Sequence, residues 1–205
     1  MTASCAAFSN GDPKPLVTVL QKFFQSLSIR AFLDSSEANL RSLVELCWFE
    51  DRRCLSELCL AQDSKKAYRK GRYGFIDLFL VSSPNSPNCS DAAIELKNVT
   101  LSSILNASAG SEPTHAATEL LRQQLMEETP EELLRREYRY WDQESNSHVR
   151  KSIRTLQQEA IDQVNRYLQI AKLGPAKGGS NGIYDKRIRY HAGTNSLQGY
   201  VVMWN

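Results

Sequence analysis

The segments GRYGFIDLFLV (71–81) and DAAIELKNV (91–99) decide how this chain folds. Both are apolar runs of strand length with charge at the centre: Asp77 in the first, Glu95 and Lys97 in the second. Side chains alternate along a strand with period two, so Glu95 and Lys97 share a face with Ala93 and Val99 while Ile94 and Leu96 take the other. A pairing that brings Asp77 alongside gathers two carboxylates and an ammonium at one place. Such a group is expensive to desolvate unless a cation or a substrate completes it, and the trio is therefore a site hypothesis.

Working outward, CLSELCLA (54–61) reads as the first strand, and SSPNSPNCSD (82–91), dense in Pro, Ser and Asn, as the turn between the second and third. Upstream, LVTVLQKFFQSLSIRAFL (16–33) places Leu16, Leu20, Phe23, Phe24 and Leu27 at helical spacing. A second helix is expected in SSEANLRSLVELCWF (35–49), where Ser35 or Ser36 accepts the first free N–H groups and Glu37 favours the positive helix end. Downstream, the pattern from Ser111 to Leu173 is helical. Thr129-Pro130-Glu131-Glu132 starts one helix, continuing through EYRYW, by a capping hydroxyl, a proline at the first position and first-turn acids. Val149, Ile153, Leu156, Ala160, Val164, Tyr167, Leu168 and Ala171 form one stripe of a longer helix that Gly174-Pro175 stops. GPAKGGSNG (174–182) is expected to be a loop and GYVVMWN (199–205) a final strand. Residues 1–14 are expected to be a disordered leader and 15–205 one domain. The last strand runs straight into the end of the chain, as expected of a truncated or minimal version of a larger architecture.

Hydrophobic residues make up 41% of the 205 positions, enough for a real core. The formal net charge is only +2, so attraction to nucleic acid has to come from a local patch. KKAYRKGR (65–72) supplies one, with Lys65, Lys66, Arg69, Lys70 and Arg72; a solvated hairpin loop and a nuclear import signal are its other readings. Cys5, Cys47, Cys54, Cys59 and Cys89 are odd in number and contain no C-x-x-C, which favours thiols over zinc ligation or a disulfide framework. No signal-peptide pattern and no run of about 20 apolar residues is present, so an intracellular protein without a membrane span is expected. His115, His148 and His191 have no ligand spacing, and the Gly-rich segment lacks the phosphate-loop pattern, so no nucleotide cofactor is expected.

An Asp on one strand followed by E-x-K on the next resembles the PD-(D/E)XK nuclease superfamily, with Asp77 and Glu95-Leu96-Lys97 in the motif positions and Ile76 where many members carry proline. The order of elements is similar to that family's αβββαβ core. Ala160, Gln163 and Tyr167 match the A-x-x-Q-x-x-x-Y helix of its fungal nuclease-like members. The resemblance runs from about Glu37 to the end and leaves about 102–146 as a helical insertion. It implies an α/β restriction-endonuclease-like fold with a central mixed four-stranded sheet flanked by helices.

The resemblance also implies catalysis by Asp77, Glu95, Lys97 and Gln163, with Mg²⁺ or Mn²⁺ held by Asp77, Glu95 and an upstream acid. Glu37 is the candidate for that acid, with Glu45 second, a plain solvent-facing helix acid being the alternative for either; Glu57, in the expected first strand, is left open. Hard carboxylate oxygens suit Mg²⁺, which keeps positions for water and phosphate. Lys97 would orient or deprotonate the attacking water or stabilise charge on the phosphate. Gln163 falls on the apolar stripe of its helix, where a buried amide needs partners. The expected function is hydrolysis of phosphodiester bonds of DNA, or RNA, with the basic loop and Lys177–Arg189 contacting phosphates. The alternatives are a catalytically silent adaptor for nucleic acid or protein, and an ordinary structural domain. The insertion, with Tyr138, Tyr140 and Trp141, offers a surface for a protein partner, packing against the core being the other reading.

Overall fold

The computed structural model describes residues 7, 11–26, 36–46, 54–63, 65–66, 72–81, 90–105, 114–142, 145–177, 180–188 and 197–204. Its elements in chain order are α1 (Lys14–Ser26), α2 (Glu37–Leu46), β1 (Cys54–Ala61), β2 (Tyr73–Leu80), β3 (Asp91–Asn98), α3 (Leu101–Ile104), α4 (His115–Glu127), α5 (Pro130–Arg135), β4 (Glu137–Asp142), β5 (Ser147–Ser152), α6 (Ile153–Ala171), β6 (Gly182–Ile183) and β7 (Leu197–Trp204). One mixed sheet in the order β6-β1-β2-β3-β7 carries the fold; β3 and β7 are parallel and the other pairs antiparallel. The chain is thus α/β, but the sheet has five strands rather than the expected four. The addition is the two-residue β6, inside a segment whose glycines read as loop. Gly182 (φ 145°) is required there, because a Cβ would lie 2.5 Å from the Gly174 carbonyl oxygen.

Helices cover both faces. On one, Leu16 and Leu20 of α1 and Leu40 and Val44 of α2 pack on Leu78, Leu80, Ala92, Ile94 and Leu96. On the other, Tyr167 and Ala171 of α6 meet Leu58, Leu60, Ile76, Phe79 and Ala93. At about 25 cal/mol per Å² of apolar surface, these two layers are the main force holding the sheet. Gly199 lets α6 come down onto β7: a Cβ there would lie 2.3 Å from Val164 Cγ1 and 2.8 Å from Leu168 Cδ1.

The stretch expected to be a helical insertion is only partly helical. Thr129 caps α5 with a full capping box, its hydroxyl accepting from the Glu132 N–H and its own N–H donating to the Glu132 carboxylate. The helix nevertheless ends at Arg135, and EYRYW is a strand, paired with β5 as a two-stranded hairpin. Aromatic residues favour a pleated surface, and Tyr138 gains more from burial against Val99, Leu101, Ile104 and Ile153 in a third cluster than a helical continuation would offer. Val149 therefore belongs to β5 rather than to the long helical stripe, and α6 begins after Ser152, whose hydroxyl accepts the Thr155 N–H. Most of the leader, the turn at 82–89, and Cys5, Cys47, Cys89 and His191 lie outside the described residues. Cys54 and Cys59 are reduced thiols. Among the described residues no helix is long and apolar enough to cross a membrane.

Candidate active site

The site lies where the central sheet loses its regularity. β1 and β2 pair continuously except at one rung, Glu57 opposite Asp77. Glu57 adopts φ 51°, a left-handed conformation rare for a non-glycine residue. Both strands exchange faces across this rung: Leu78 and Leu80 point into the α1/α2 layer, whereas Ile76, two residues before Leu78, packs under α6. On the other side of β2, the ladder to β3 contains Leu80↔Ala92, Phe79↔Ala93 and Leu78↔Ile94 and goes no further toward Asp77. β3 itself continues, in register with β7, through Glu95, Leu96, Lys97 and Asn98. The two strands therefore fork at Asp77 and Glu95.

Asp77 bridges the mouth of the fork. Its Oδ2 accepts the Leu96 N–H at 2.8 Å, a bond the ladder would otherwise have supplied from the backbone. Glu95 and Lys97 point to the α6 side, as the alternation of β3 requires, and Lys97 Nζ donates to Glu95 Oε1 at 2.6 Å. The Glu95 side chain is 2% exposed, and its second oxygen, Oε2, is buried without a hydrogen-bond partner among the described residues. An unsatisfied carboxylate oxygen in such a place costs on the order of 1–3 kcal/mol or more.

These surroundings set the protonation states. Burial pushes the Glu95 carboxyl up to about 7; Lys97 pulls against that rise, and the neighbouring Asp77 and Glu37 add to it. Asp77 is also raised by burial, with the Leu96 amide, Lys97 and Arg41 opposing. Burial works to depress the Lys97 ammonium, but the hydrogen bond to Glu95 and the charges of Glu95, Glu37 and Asp77 outweigh it, and its pKa lies above the ordinary lysine value. The rise at Lys97 favours the ion pair and the rise at Glu95 opposes it. Lys97 is the partner that keeps its proton, because three carboxylates act on it, and Glu95 is the one that titrates.

Three further groups face this trio. Glu37 sits in the first turn of α2, behind Ser36, whose hydroxyl accepts the Asn39 N–H at 3.2 Å. It is exposed as a residue, yet partial desolvation of its carboxyl and then the charge of Asp77 raise its pKa, with Lys97 and Arg41 opposing. Arg41, one helical turn on, pairs with Glu57. From α6, the Tyr167 hydroxyl accepts the Gln163 amide N–H at 3.0 Å. The ring is buried, which raises the phenol pKa together with the charges of Glu95 and Asp77, while Gln163 and Lys97 lower it. Gly74 makes room first for the Gln62 side chain, whose Nε2 would stand 1.7 Å from a Cβ there, and then for this ring, whose Cε1 would stand 3.0 Å from it. The partner of the half-buried Gln163 is thus a tyrosine of its own helix.

Asp77, Glu95, Lys97, Glu37, and Tyr167 with Gln163 are therefore brought together; Glu45 enters none of these interactions. Sequence reasoning missed Arg41, although its i+4 spacing from Glu37 on an amphipathic helix was a usable signal. Of the basic loop, the described residues Lys65, Lys66 and Arg72 enter none of these interactions. Tyr73, at its end, is four residues from Asp77, about 13 Å along a strand. Lys65 and Lys66 are exposed, with Lys66 3.7 Å from Asp63, and the Arg72 guanidinium lies over the Tyr73 ring at 5.4 Å. Arg69 and Lys70 lie outside the described residues. In the second basic segment, Arg187 is already committed to Asp185 and the Ser56 carbonyl.

Among the described residues no group of three or more His, Cys, Asp and Glu is gathered in a metal-holding arrangement. No family model matches this chain, and neither does any curated protein or solved structure.

Proposed function

We propose that the chain is a divalent-cation-dependent nuclease of the PD-(D/E)XK kind, hydrolysing phosphodiester bonds in DNA or RNA. The observation that carries this reading is the fork: Asp77, Glu95 and Lys97, from two strands that part at that point, face one another beside an unsatisfied, buried Glu95 oxygen. The succession α2, β1, β2, β3, α6, β7 supports the restriction-endonuclease-like fold.

The residues fit a small, oxygen-seeking ion. Mg²⁺ takes one or two protein carboxylates and keeps the rest of its shell for water and phosphate, so a cage of three acids is not needed. Asp77 and Glu95 would hold it, with Oε2 of Glu95 gaining the partner it lacks. When bound, Mg²⁺ or Mn²⁺ supplies Lewis acidity toward the phosphate and lowers the pKa of a coordinated water. Lys97, held charged, donates hydrogen bonds to the attacking water or to a phosphate oxygen and offsets the charge that builds on it. Glu37, exposed and raised in pKa, takes the proton that the water releases as the new P–O bond forms, and the ester oxygen that departs as the old P–O bond breaks takes its proton from bulk water. Tyr167, hydrogen-bonded to Gln163, lies on the α6 side of the trio, within reach of its charges.

Incubating the purified protein with supercoiled plasmid, single-stranded DNA and RNA, in Mg²⁺, Mn²⁺ or EDTA, tests the reading. Cleavage that requires metal and falls by about 100-fold or more in Lys97→Ala and Glu95→Gln is expected. No cleavage of any substrate, or cleavage indifferent to Lys97, refutes catalysis and leaves the silent adaptor of the same fold.

A further inference from the structure

The β4–β5 hairpin carries a second charged and aromatic surface, remote in sequence from the fork. Its register sets Arg139 opposite Arg150 and Trp141 opposite His148. Because strand side chains alternate, these four lie on one face, while Tyr138 and Tyr140 turn inward and pack in the third cluster. Lys151 belongs to the inner side too, 4.8 Å from the Tyr140 ring centroid and 2.7 Å from Glu159.

The outer face is unusual on two counts. Like charges directly opposite across an antiparallel pair are destabilising, yet neither Arg139 nor Arg150 is joined to a carboxylate among the described residues. Their neighbours Arg136 and Lys151 are each paired with a glutamate. Trp141, in turn, is 52% exposed, with its indole set edge to face against the His148 imidazole at 5.0 Å. Glu137 marks the base of the same face, so the basic part is confined to the outer half of the hairpin.

The structure assigns this face to a single strand of nucleic acid, with Arg139 and Arg150 on its phosphates and Trp141 and His148 stacked on its bases. Resting on the nuclease reading, this names the strand-holding surface of the same molecule. Charge complementarity carries the choice: two planar cations with no carboxylate partner among the described residues, beside two exposed aromatic rings, are what an unpaired strand requires, a polyanion with free base faces. An acidic peptide would satisfy the arginines and leave the rings without a stacking partner. A duplex keeps its base faces covered. The hairpin is also continuous with the site, since its buried Tyr138 belongs to the same core cluster as Val99, two residues beyond Lys97 on the same chain segment.

The test uses the whole chain in EDTA, so that binding is read without cleavage, and a fluorescein-labelled oligo(dT) of about 12 nucleotides, within the length that one single-strand site covers. Trp141→Ala is expected to weaken binding about tenfold or more. Arg139→Gln with Arg150→Gln is expected to reduce the slope of log Kd against log salt by about 1.4, or 0.7 per lost phosphate contact. Trp141→Phe, which preserves packing, is expected to keep affinity within about threefold and to lose part of the tryptophan quenching that the strand produces. Unchanged affinity in Trp141→Ala, an unchanged salt slope in the double arginine variant, undiminished quenching in Trp141→Phe, or equal competition by poly-glutamate overturns the assignment. Loss of cleavage in Glu95→Gln with strand binding intact tests the fork alone, so failure at either surface is read separately.

Discussion

Asp77 completes with its side chain the ladder that its backbone leaves open, Oδ2 accepting the Leu96 N–H at 2.8 Å between two strands that have begun to separate. The carboxylate thereby has a structural duty as well as a position at the mouth of the site. Asp77→Ala leaves a part-buried N–H without its acceptor and is expected to cost about 1–3 kcal/mol. Asp77→Asn retains an acceptor and is expected to cost less, while losing the charge a divalent ion needs. Urea unfolding of both variants, with Mn²⁺ calorimetry, separates the two duties; equal destabilisation by Asn and Ala would refute the first.

Glu95 makes stability depend on pH. Its carboxyl is raised from 4.5 to about 7 in the folded chain, so between those values the native state holds a proton that the unfolded state has released. Stability from this group is therefore fully present below about 4.5 and lost as the pH climbs through 7, by on the order of 3 kcal/mol. Glu95→Gln should flatten that slope in metal-free buffer. Thermal melts from pH 5 to 8.5 that show the same slope in both proteins would contradict the assigned ionisation.

Glu57 pays for its left-handed backbone without burying its side chain, which is 63% exposed in its pair with Arg41. A left-handed residue costs about 1–2 kcal/mol and an exposed ion pair returns about 0–1 kcal/mol. Glu57→Gly is therefore expected to be more stable than Glu57→Ala by about 1 kcal/mol, both measured by urea midpoint. An alanine variant as stable as the glycine would mean that the backbone at this rung is relaxed.

Gly199 is the contact point of α6 with β7. A methyl group added there meets Val164 and Leu168 inside van der Waals distance, so Gly199→Ala is expected to cost about 1–3 kcal/mol through a displaced helix. Because α6 carries Tyr167 and Gln163, activity should fall with stability. Val164→Ala in the same chain, by removing the nearest methyl group, should recover part of both.

Much of the strand frame was readable in advance, for a simple reason. β1, β2 and β3 are short apolar runs bounded by polar turns, and β3 keeps strict alternation, so Glu95 and Lys97 had to share a face once it was a strand. The start of α5 was likewise local, its capping box being written in four consecutive residues. What failed were segments whose fate depended on distant partners. EYRYW has aromatic residues that serve a helix or a strand equally well, and Val99, Leu101, Ile104 and Ile153 select the strand by the pocket they offer Tyr138. β6 is two residues long and exists because β1 presents an edge to it.

Alone, the order of residues determined that three ionisable groups would stand on adjacent strands and that the third strand would direct its acid and lysine to one side, because side-chain direction follows from the backbone period. Only tertiary structure decided that β1 and β2 would exchange faces at Glu57 and Asp77, that β2 and β3 would part at that rung, and that Glu37, Arg41 and Tyr167 would close around the gap. Those outcomes come from the packing of two helical layers against opposite faces of one sheet, and packing is a property of residues far apart in the chain.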